Sequence, residues 1–534
     1  MTTVTPARPA RRWAVLAVLC LSVLLVTVDN TIVNVALPSI SRELGASTGA
    51  LQWVVDAYSL VFAGLLLVGG NLGDRLGRRR TLQAGMAAFV VTSVAAALAA
   101  NTAELVAARA AMGAAAALIY PATLALLTNT FTDARERATA IGIWAGVSGL
   151  AVAVGPLSGG LLLDHFRWSS VFWFNVALGV VAVVLNGRFV TESRDARPGR
   201  FDVAGALLSV VSMLLLVDTV IEAPTRGWTA PLTVAGFVLA LGLVAVFVCW
   251  ELRREHPLLD VRIFASARFS AASGAVALAF FGLFGFIFLV TLYFQAVRGY
   301  TPLRAGLATV PFALVTGALS PVAIALMKRF GTKLVVAAGL ALMSGGFLVA
   351  ATITVDAAYW GRIVVSMALM AAGLALTSGP ASEAIMGALP ADKAGAGSAV
   401  NDTTRELGGA LGVAVIGSVL SSRYAPEVAS GLDRLGVSGS ALHHATGSLT
   451  AGLGTAAHLP PALQGPAVDT VRHAFLTGLS AGSLAAAAAT AAAAVVALAF
   501  LPARADATSP APAPEPAPAR PAGAGRCEAT VGAS

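Results

Sequence analysis

Residues Gly146–Gly160 read GVSGLAVAVGPLSGG, an apolar run that carries five glycines and one proline. Inside a helix each glycine costs about 1 kcal/mol and a proline about 3 kcal/mol relative to alanine. A segment that accepts this six times over must gain something in return. In lipid the gain is close backbone approach, because small residues three or four apart offer a flat face to a second helix. Pro156 frees one carbonyl and bends the helix, which a membrane tolerates when neighbours satisfy that carbonyl. Gly146, Gly149, Gly155, Pro156, Gly159 and Gly160 therefore read as a tight, bendable seam on which two halves of a membrane protein rock. An ordinary small-residue packing face is the plainer alternative.

The composition places that seam in a bilayer. Hydrophobic residues make up 57% of 534 positions and charged residues only 12%, and mean hydropathy is +0.81, outside the range of soluble chains. Apolar stretches of about 20 residues, the length that crosses a hydrocarbon core, recur along the chain. Fourteen are counted, at 13–37, 51–72, 81–100, 105–128, 139–163, 169–189, 203–221, 231–250, 269–296, 304–327, 334–354, 360–384, 397–420 and 474–501. The first, Trp13 to Leu37, is too long for a signal-peptide core and lacks a cleavage site, so it is expected to persist. Cys20, Cys249 and Cys527 fall in separate segments, which excludes a disulfide framework or a zinc site.

Charge sets the expected orientation. With the N-terminus inside, inner loops and tails hold 24 of the 35 Lys and Arg, outer loops hold 9, and Arg109 and Arg405 fall in or beside helices. The net charge of +8 then reflects topology and an anionic inner leaflet. It does not argue for nucleic acid, since no basic patch is interleaved with exposed aromatics. Both termini are expected in the cytoplasm, with the plasma membrane as the location.

The two halves of the chain echo each other. Tyr120-Pro121-Ala122-Thr123 recurs as Gly379-Pro380-Ala381-Ser382, and Asp133 with Ala138-Thr139-Ala140 recurs as Asp392 with Gly397-Ser398-Ala399, both at an offset of 259. Arg75-Leu76-Gly77-Arg78-Arg79 recurs as Arg329-Phe330-Gly331-Thr332-Lys333 at an offset of 254. These matches pair spans 1–6 with 9–14 and leave 7 and 8 as an insertion. The expected fold is an all-α membrane protein of 14 spans: a six-helix bundle at 13–189, an inserted pair at 203–250, and a second six-helix bundle at 269–501. Residues 1–12 form a cytoplasmic N-terminus, 421–473 an external loop, and the Pro-Ala-rich 502–534 a disordered cytoplasmic tail.

These motifs carry a resemblance. Gly70-Asn71-Leu72-Gly73-Asp74-Arg75-Leu76-Gly77-Arg78-Arg79-Arg80 is similar to the signature loop between helices 2 and 3 of the major facilitator superfamily. The Gly146–Gly160 run resembles that family's antiporter motif, and Leu105 to Ala117 resembles its helix 4 motif. Asp29-Asn30-Thr31-Ile32-Val33-Asn34-Val35-Ala36-Leu37-Pro38 resembles the helix 1 motif of the fourteen-helix drug:proton antiporters of the EmrB/QacA type. Tyr300-Thr301-Pro302 with Ala305-Gly306, and Arg405-Glu406-Leu407-Gly408-Gly409, resemble further marks of that branch. The resemblance covers about residues 10 to 500. It implies two parallel six-helix repeats around a midplane site, and proton-coupled export of hydrophobic or cationic drugs and natural products. Two positions depart from the pattern. Met112 stands where the helix 4 motif has a glutamine, which leaves open one polar contact near Arg109, and Val415 is the counterpart of Pro156.

Such export needs an ionisable group within the membrane, where a charge is costly and functional by default. Asp29 lies 8 positions before Leu37, about 12 Å from the outer end of the span. Asp56 and Arg109 lie about 8 Å deep from the same side. Asp29 is read as the proton-coupling group, Arg109 as the cation that tunes it, and Asp56 as a further candidate. A static ion pair is the alternative for Asp29 and Arg109, and simple solvation for Asp56. Asp218, Glu222 and Glu383 read as interfacial, and Asp402 and Glu406 as local salt-bridge partners of Arg405. In the loop after span 2, Gly73, Asp74, Arg75, Gly77 and Arg78 read as a conformational switch, with Asp74 latching an arginine or a helix N-terminus in the outward-open state.

Substrate identity is less legible. Span 9 carries Phe280, Phe281, Phe284, Phe286, Phe288, Tyr293 and Phe294 spread around the helix, so most are expected against lipid or core. Asn34, Phe284 and Gln295 are candidates to line an apolar cavity for amphipathic compounds. His443, His444 and His458 read as solvent-exposed, and no metal is assigned. No cofactor is expected beyond the proton gradient, and the partners expected are lipid, protons and small amphipathic molecules, with the protein a monomer. No Gly-Lys pair occurs, which excludes a phosphate-binding loop and an ATP-driven pump. An enzyme is not expected; proton-coupled nutrient import is the main alternative, with a membrane enzyme or sensor behind it.

Overall fold

A computed structural model describes residues 9–193, 202–254, 257, 259–386, 388 and 394–501. Among the described residues the chain is helical, with no strand. The first bundle comprises α1 (Pro9–Leu44), α2 (Thr48–Leu76), α3 (Arg78–Ala97), α4 (Thr102–Thr130), α5 (Ala134–His165) and α6 (Ser170–Phe189). A pair follows, α7 (Val203–Arg226) and α8 (Pro231–Leu252). The second bundle comprises α9 (Ala267–Leu292), α10 (Pro302–Phe330), α11 (Thr332–Ala350), α12 (Val364–Met386), α13 (Ala394–Asp433) and α16 (Pro461–Phe500). Two short helices, α14 (Gly439–Gly447) and α15 (Leu449–Ala457), precede the last.

Each expected span coincides with one long helix, and thirteen are long and apolar enough to cross a membrane. The exception is α3. Three arginines open it, and Thr81, Gln83, Thr92 and Ser93 dilute its apolar content. An even number of crossings returns the chain to the end where it began, here the terminal end; the opposite one is the far end.

Local chemistry sets the boundaries. Asn101 caps α4 by accepting from the Glu104 amide at 2.9 Å, while the Glu104 carboxylate accepts from the Ala100 amide at 2.8 Å. This reciprocal pairing satisfies donors that a helix start leaves free. Asp133 accepts from the amides of Arg135 and Glu136 at 3.0 Å and starts α5. The joints α2–α3 and α10–α11 are single glycines at positive φ, Gly77 at 111° and Gly331 at 86°. Only glycine takes that conformation freely. Their separation is the 254-residue offset seen in the sequence repeat.

The inserted pair lies against both bundles through α7. Gly64 of α2 packs on Val210, and the Ser418 hydroxyl of α13 donates to the Val220 carbonyl at 2.8 Å. A small apolar cluster joins Leu60 of α2, Val217, Val220 and Ile221 of α7, and Ala410 and Ala414 of α13. α8 lies outermost, with Leu232, Val238 and Leu241 exposed, as a lipid-facing helix should be.

Contacts between the bundles gather at the far end. Gln52 of α2 donates to the carbonyls of Val413 and Ala414 on α13 at 3.0 and 2.8 Å. Gln295, in a single π-helical turn that follows α9, donates to the Val35 carbonyl of α1 at 2.8 Å. Asp164 of α5 accepts from the Leu303 amide of α10 at 3.2 Å. Gly306 of α10 lies directly against the Pro156 carbonyl, and Gly160 directly against the backbone of Pro302 and Leu303. Toward the terminal end the same helices part: a side chain at Gly142, Gly146 or Gly149 of α5, or at Gly317 of α10, would meet no other element within 4 Å. The molecule is shut at the far end and open between the bundles at the terminal end.

One expectation is corrected here. Residues 421–473 are largely helical instead of forming an irregular loop, because α13 runs on to Asp433 and α16 starts at Pro461. The remainder folds as α14 and α15, which pack back onto the first bundle: Ser41 meets Ser448 at 3.3 Å and also Thr450, and Thr48 donates to the Gly447 carbonyl at 3.2 Å. Of the two settings expected for the aromatic residues of span 9, lipid or core, the structure shows the core. α9 sits among α12, α13 and α16, and Phe286, Phe288, Tyr293 and Phe294 are buried in protein. Its central place follows from Gly408 and Gly412 of α13, which admit the backbone of Ala277 and Phe281. The tail from 502 and most of the N-terminus lie outside the described residues.

Candidate functional site

Four helices of the first bundle converge on one carboxylate. Asp29 projects from α1 and Arg109 from α4, with Nη1 donating to Oδ2 at 2.6 Å. Asn175 of α6 donates to the other oxygen, Oδ1, at 2.6 Å. The Arg109 Nε donates to the Val54 carbonyl of α2 at 3.0 Å, and its guanidinium lies 4.3 Å over the Tyr58 ring. Asp29, Arg109, Tyr58 and Asn175 are fully buried. The close approach of α2 and α4 that permits this comes from Gly113, which lies directly against the Tyr58 backbone.

Burying two charges forfeits hydration worth several kcal/mol per ion, so the pair depends on its geometry and added hydrogen bonds. Here the carboxylate has both oxygens engaged. The Arg109 Nη2 has no hydrogen-bond partner among the described residues. Met112, fully buried on the same helix, offers none where a glutamine side chain would. The arrangement is thus a buried charged pair whose bonds are strong but incomplete.

The remaining candidates are dispersed. Asp56 is fully buried, which corrects the solvated reading, and neither carboxylate oxygen has a hydrogen-bond partner among the described residues. It lies one helical turn from Gln52 on α2. Asn34 is buried and its Nδ2 bonds back to the Asn30 carbonyl at 3.1 Å. Gln295 is committed to Val35 and ties the bundles together instead of facing an opening. Phe284 stacks on Phe280 at 6.3 Å and lies against Gly409 of α13.

The glycine seam divides its work. Gly155 and Gly159 receive Thr31 and Ile32 of α1, Gly160 and Pro156 meet α10, and Gly146 and Gly149 face open space. In the α2–α3 loop Asp74 pairs with Arg78 at 2.8 Å, four residues on, while Gly73 and Gly77 frame the turn and Arg75 closes α2. The N-terminus of α3 is held by Glu192, which accepts from the amides of Arg79 and Arg80 at 3.1 and 3.3 Å. Glu192 was not singled out by the sequence, which gives no hint that residues so distant meet. Asn175 could have been, as a polar residue within the apolar SVFWFNVALG.

Around Arg405 the expected local salt bridge is absent. No ion pair joins it to Asp402 or Glu406 among the described residues. Instead Arg405 donates to the Ser382 hydroxyl of α12 at 2.9 Å and sits 5.2 Å over the Phe280 ring. Glu406 turns toward the first bundle, where Asn30 donates to it at 3.4 Å and Ser59 reaches it too. Glu406 is therefore a site residue that sequence reasoning missed. Its i,i+1 placement beside Arg405 masked a contact between bundles. Asp218 and Glu222 pair with Arg226, and Glu383 is exposed, as expected.

Two pseudo-repeated bundles, closed at one end and parted at the other, with a buried ion pair inside one of them, define a membrane transporter. The chain belongs to the major facilitator superfamily, whose family model matches residues 19–413. It is 38% identical over 493 residues to the multidrug efflux pump LfrA of Mycolicibacterium smegmatis, covering 90% of this chain and 95% of that one. The methyl viologen resistance protein SmvA of Salmonella typhimurium is 34% identical over 474 residues, covering 87% and 93%. A solved structure of a bacterial homolog of the human lysosomal transporter Spinster, inward-facing and unoccupied, superimposes with a TM-score of 0.62 at 18% identity, covering 93% and 99%.

Proposed function

We propose that this protein exports small amphipathic compounds, drugs or natural products, across the plasma membrane in exchange for protons. It works as a monomer by alternating access, with both termini cytoplasmic, no cofactor, and the proton gradient as its energy source. The likeness to the multidrug efflux pump LfrA and the methyl viologen resistance protein SmvA supports export, and the arginine excess in terminal-end loops supports the orientation. On that orientation the cytoplasmic side is the open one here.

One observation carries the mechanism. The Asp29 carboxylate is fully buried, held by Arg109 and Asn175 at 2.6 Å each, on the helix that also touches α10 and α9 of the other bundle. Protonation of Asp29 removes the charge that holds Arg109, so proton binding and the packing of α1 against α4 and α6 are linked. Cargo released outward would be exchanged for a proton taken up there. Everted vesicles loaded with ethidium outside, with and without an imposed pH gradient, test this. Gradient-driven uptake by the wild type and its loss in Asp29→Asn are expected. Symport of dye with protons, or undiminished gradient-driven uptake by Asp29→Asn, would refute antiport through this residue.

A further inference from the structure

We infer that Asn175 is a positioning residue that turns its side-chain amide over when Asp29 takes up a proton. It donates to the carboxylate and, once turned, accepts from the carboxylic acid. The inference rests on the export reading above and deepens it.

A buried carboxylate that gains a proton becomes a hydroxyl donor, and that donor needs an acceptor inside the protein. Most groups around Asp29 are unsuited to this. Arg109 of α4 carries donors only. Tyr58 of α2 turns its hydroxyl to the Val26 carbonyl at 3.2 Å, and the Val54 carbonyl is taken by the Arg109 Nε at 3.0 Å. Glu406 of α13 approaches the next residue, Asn30, and Ser59. α5 meets this part of α1 with Gly155 and Gly159, which carry no side chain.

Asn175 differs from all of these. Its Nδ2 donates to the Asp29 Oδ1 at 2.6 Å, while its own Oδ1 is buried with no hydrogen-bond partner among the described residues. An acceptor left unpaired in a dry interior is costly. Here it sits on a group already in contact with the carboxylate. The amide is planar, and a half turn about Cβ–Cγ exchanges oxygen and nitrogen with little change in shape. After that turn its oxygen faces a proton placed on the Asp29 Oδ1. One O–H bond forms there, and no other covalent bond changes. The helix holds the residue in place: Phe172, one turn before, is fully buried, and Gly179, one turn on, lies against Val90 and Leu25. Asn175 thus supports Asp29 in both protonation states, whereas a donor alone would oppose the proton.

The test is infrared difference spectroscopy between neutral and acidic pH, on protein in liposomes with asparagine isotope-labelled at its side-chain carbonyl carbon. The Asn175 band is assigned by its loss in Asn175→Leu, or in Asn175→Ser should the leucine variant fail to fold. On acidification that band should move to lower wavenumber, because its oxygen gains a hydrogen bond, and it should not move in Asp29→Asn. A wild-type band that stays in place or moves to higher wavenumber overturns the proposal. In everted vesicles Asn175→Leu should lower gradient-driven ethidium uptake about tenfold, while ethidium binding in nanodiscs stays at the wild-type level. Undiminished uptake, or an equal loss of uptake and binding, would also overturn it. The spectrum requires no transport, so a wild type that lacks proton-driven uptake counts against the export reading alone.

Discussion

In the first bundle Asp29, Arg109 and Asn175 close on one another with no exposed surface, whereas in the second Arg405 is half-buried and held by serine hydroxyls and a ring face. The sequence repeat makes the bundles equivalent in topology, yet their charged groups differ in kind. A dehydrated ion pair responds to a single proton, because losing one partner strands the other. A cation that rests on neutral groups has no such dependence, and its neighbouring carboxylates stay available to something else. Under the proposed function, the first bundle responds to the proton and the carboxylates around Arg405 are left for another role.

Asp29→Asn should break this division most severely. It leaves Arg109 buried without its countercharge, a change that costs about 3–5 kcal/mol when a buried pair loses one partner. Gradient-driven dye efflux should fall about 100-fold or more, while Arg405→Ala should alter KM with little change in coupling; the measurement is initial efflux rate against imposed pH difference. An Arg405 variant that uncouples as completely as Asp29→Asn would dissolve the comparison.

The next effect concerns the seam. Gly155→Val places methyl groups against Thr31, with backbone of α1 within contact, and overpacking costs about 1–3 kcal/mol or more. Yield of monodisperse protein in size-exclusion chromatography should drop several-fold. Gly149→Val, which meets no neighbour, should leave that yield near wild type.

Gln52→Leu sharpens the closed-end description. It deletes two hydrogen bonds to α13, each worth about 0.5–1.5 kcal/mol, and so should favour opening at the far end. Labelling of a cysteine introduced at Thr48 by an impermeant maleimide should accelerate several-fold in that background. An unchanged rate would mean that Gln52 does not hold the bundles together.

Asp74→Asn should have the smallest effect. The pair with Arg78 bridges the α2–α3 joint at the surface, where exposed ion pairs contribute about 0.2–1 kcal/mol. Turnover slowed about twofold with unchanged ligand affinity is expected in vesicle efflux and equilibrium binding. A large loss of affinity would place Asp74 in cargo binding.

The fold was legible wherever apolar length and a repeated motif coincided, as in the fourteen spans and the paired joints at Gly77 and Gly331. Asp29 and Arg109 stood out because a charge in an apolar helix is conspicuous on its own. Partners across the bundle interface were not legible in the same way. Glu406 sits beside Arg405 in the chain, so local spacing suggested a pair that the helix geometry does not make. Asp56 shows the same limit, since depth along a helix does not reveal which face is covered. The phenylalanines of span 9 were compatible with lipid or core, and the glycines that settle it in the core lie more than a hundred residues away on α13.

The segment that holds α14 and α15 belongs by chain to the second bundle but makes hydrogen bonds to Ser41 and Thr48 of the first. Tyr424 of α13 anchors its base through the carbonyls of Ala445 and Ser448 at 3.2 and 2.9 Å. Any parting of the far end must therefore pull these contacts away from Ser41 and Thr48 while Tyr424 keeps its grip. Amide deuteration around Ser448–Ala451 should consequently track each excursion of the pump, giving a label-free clock for its cycle that needs neither dye nor engineered cysteine.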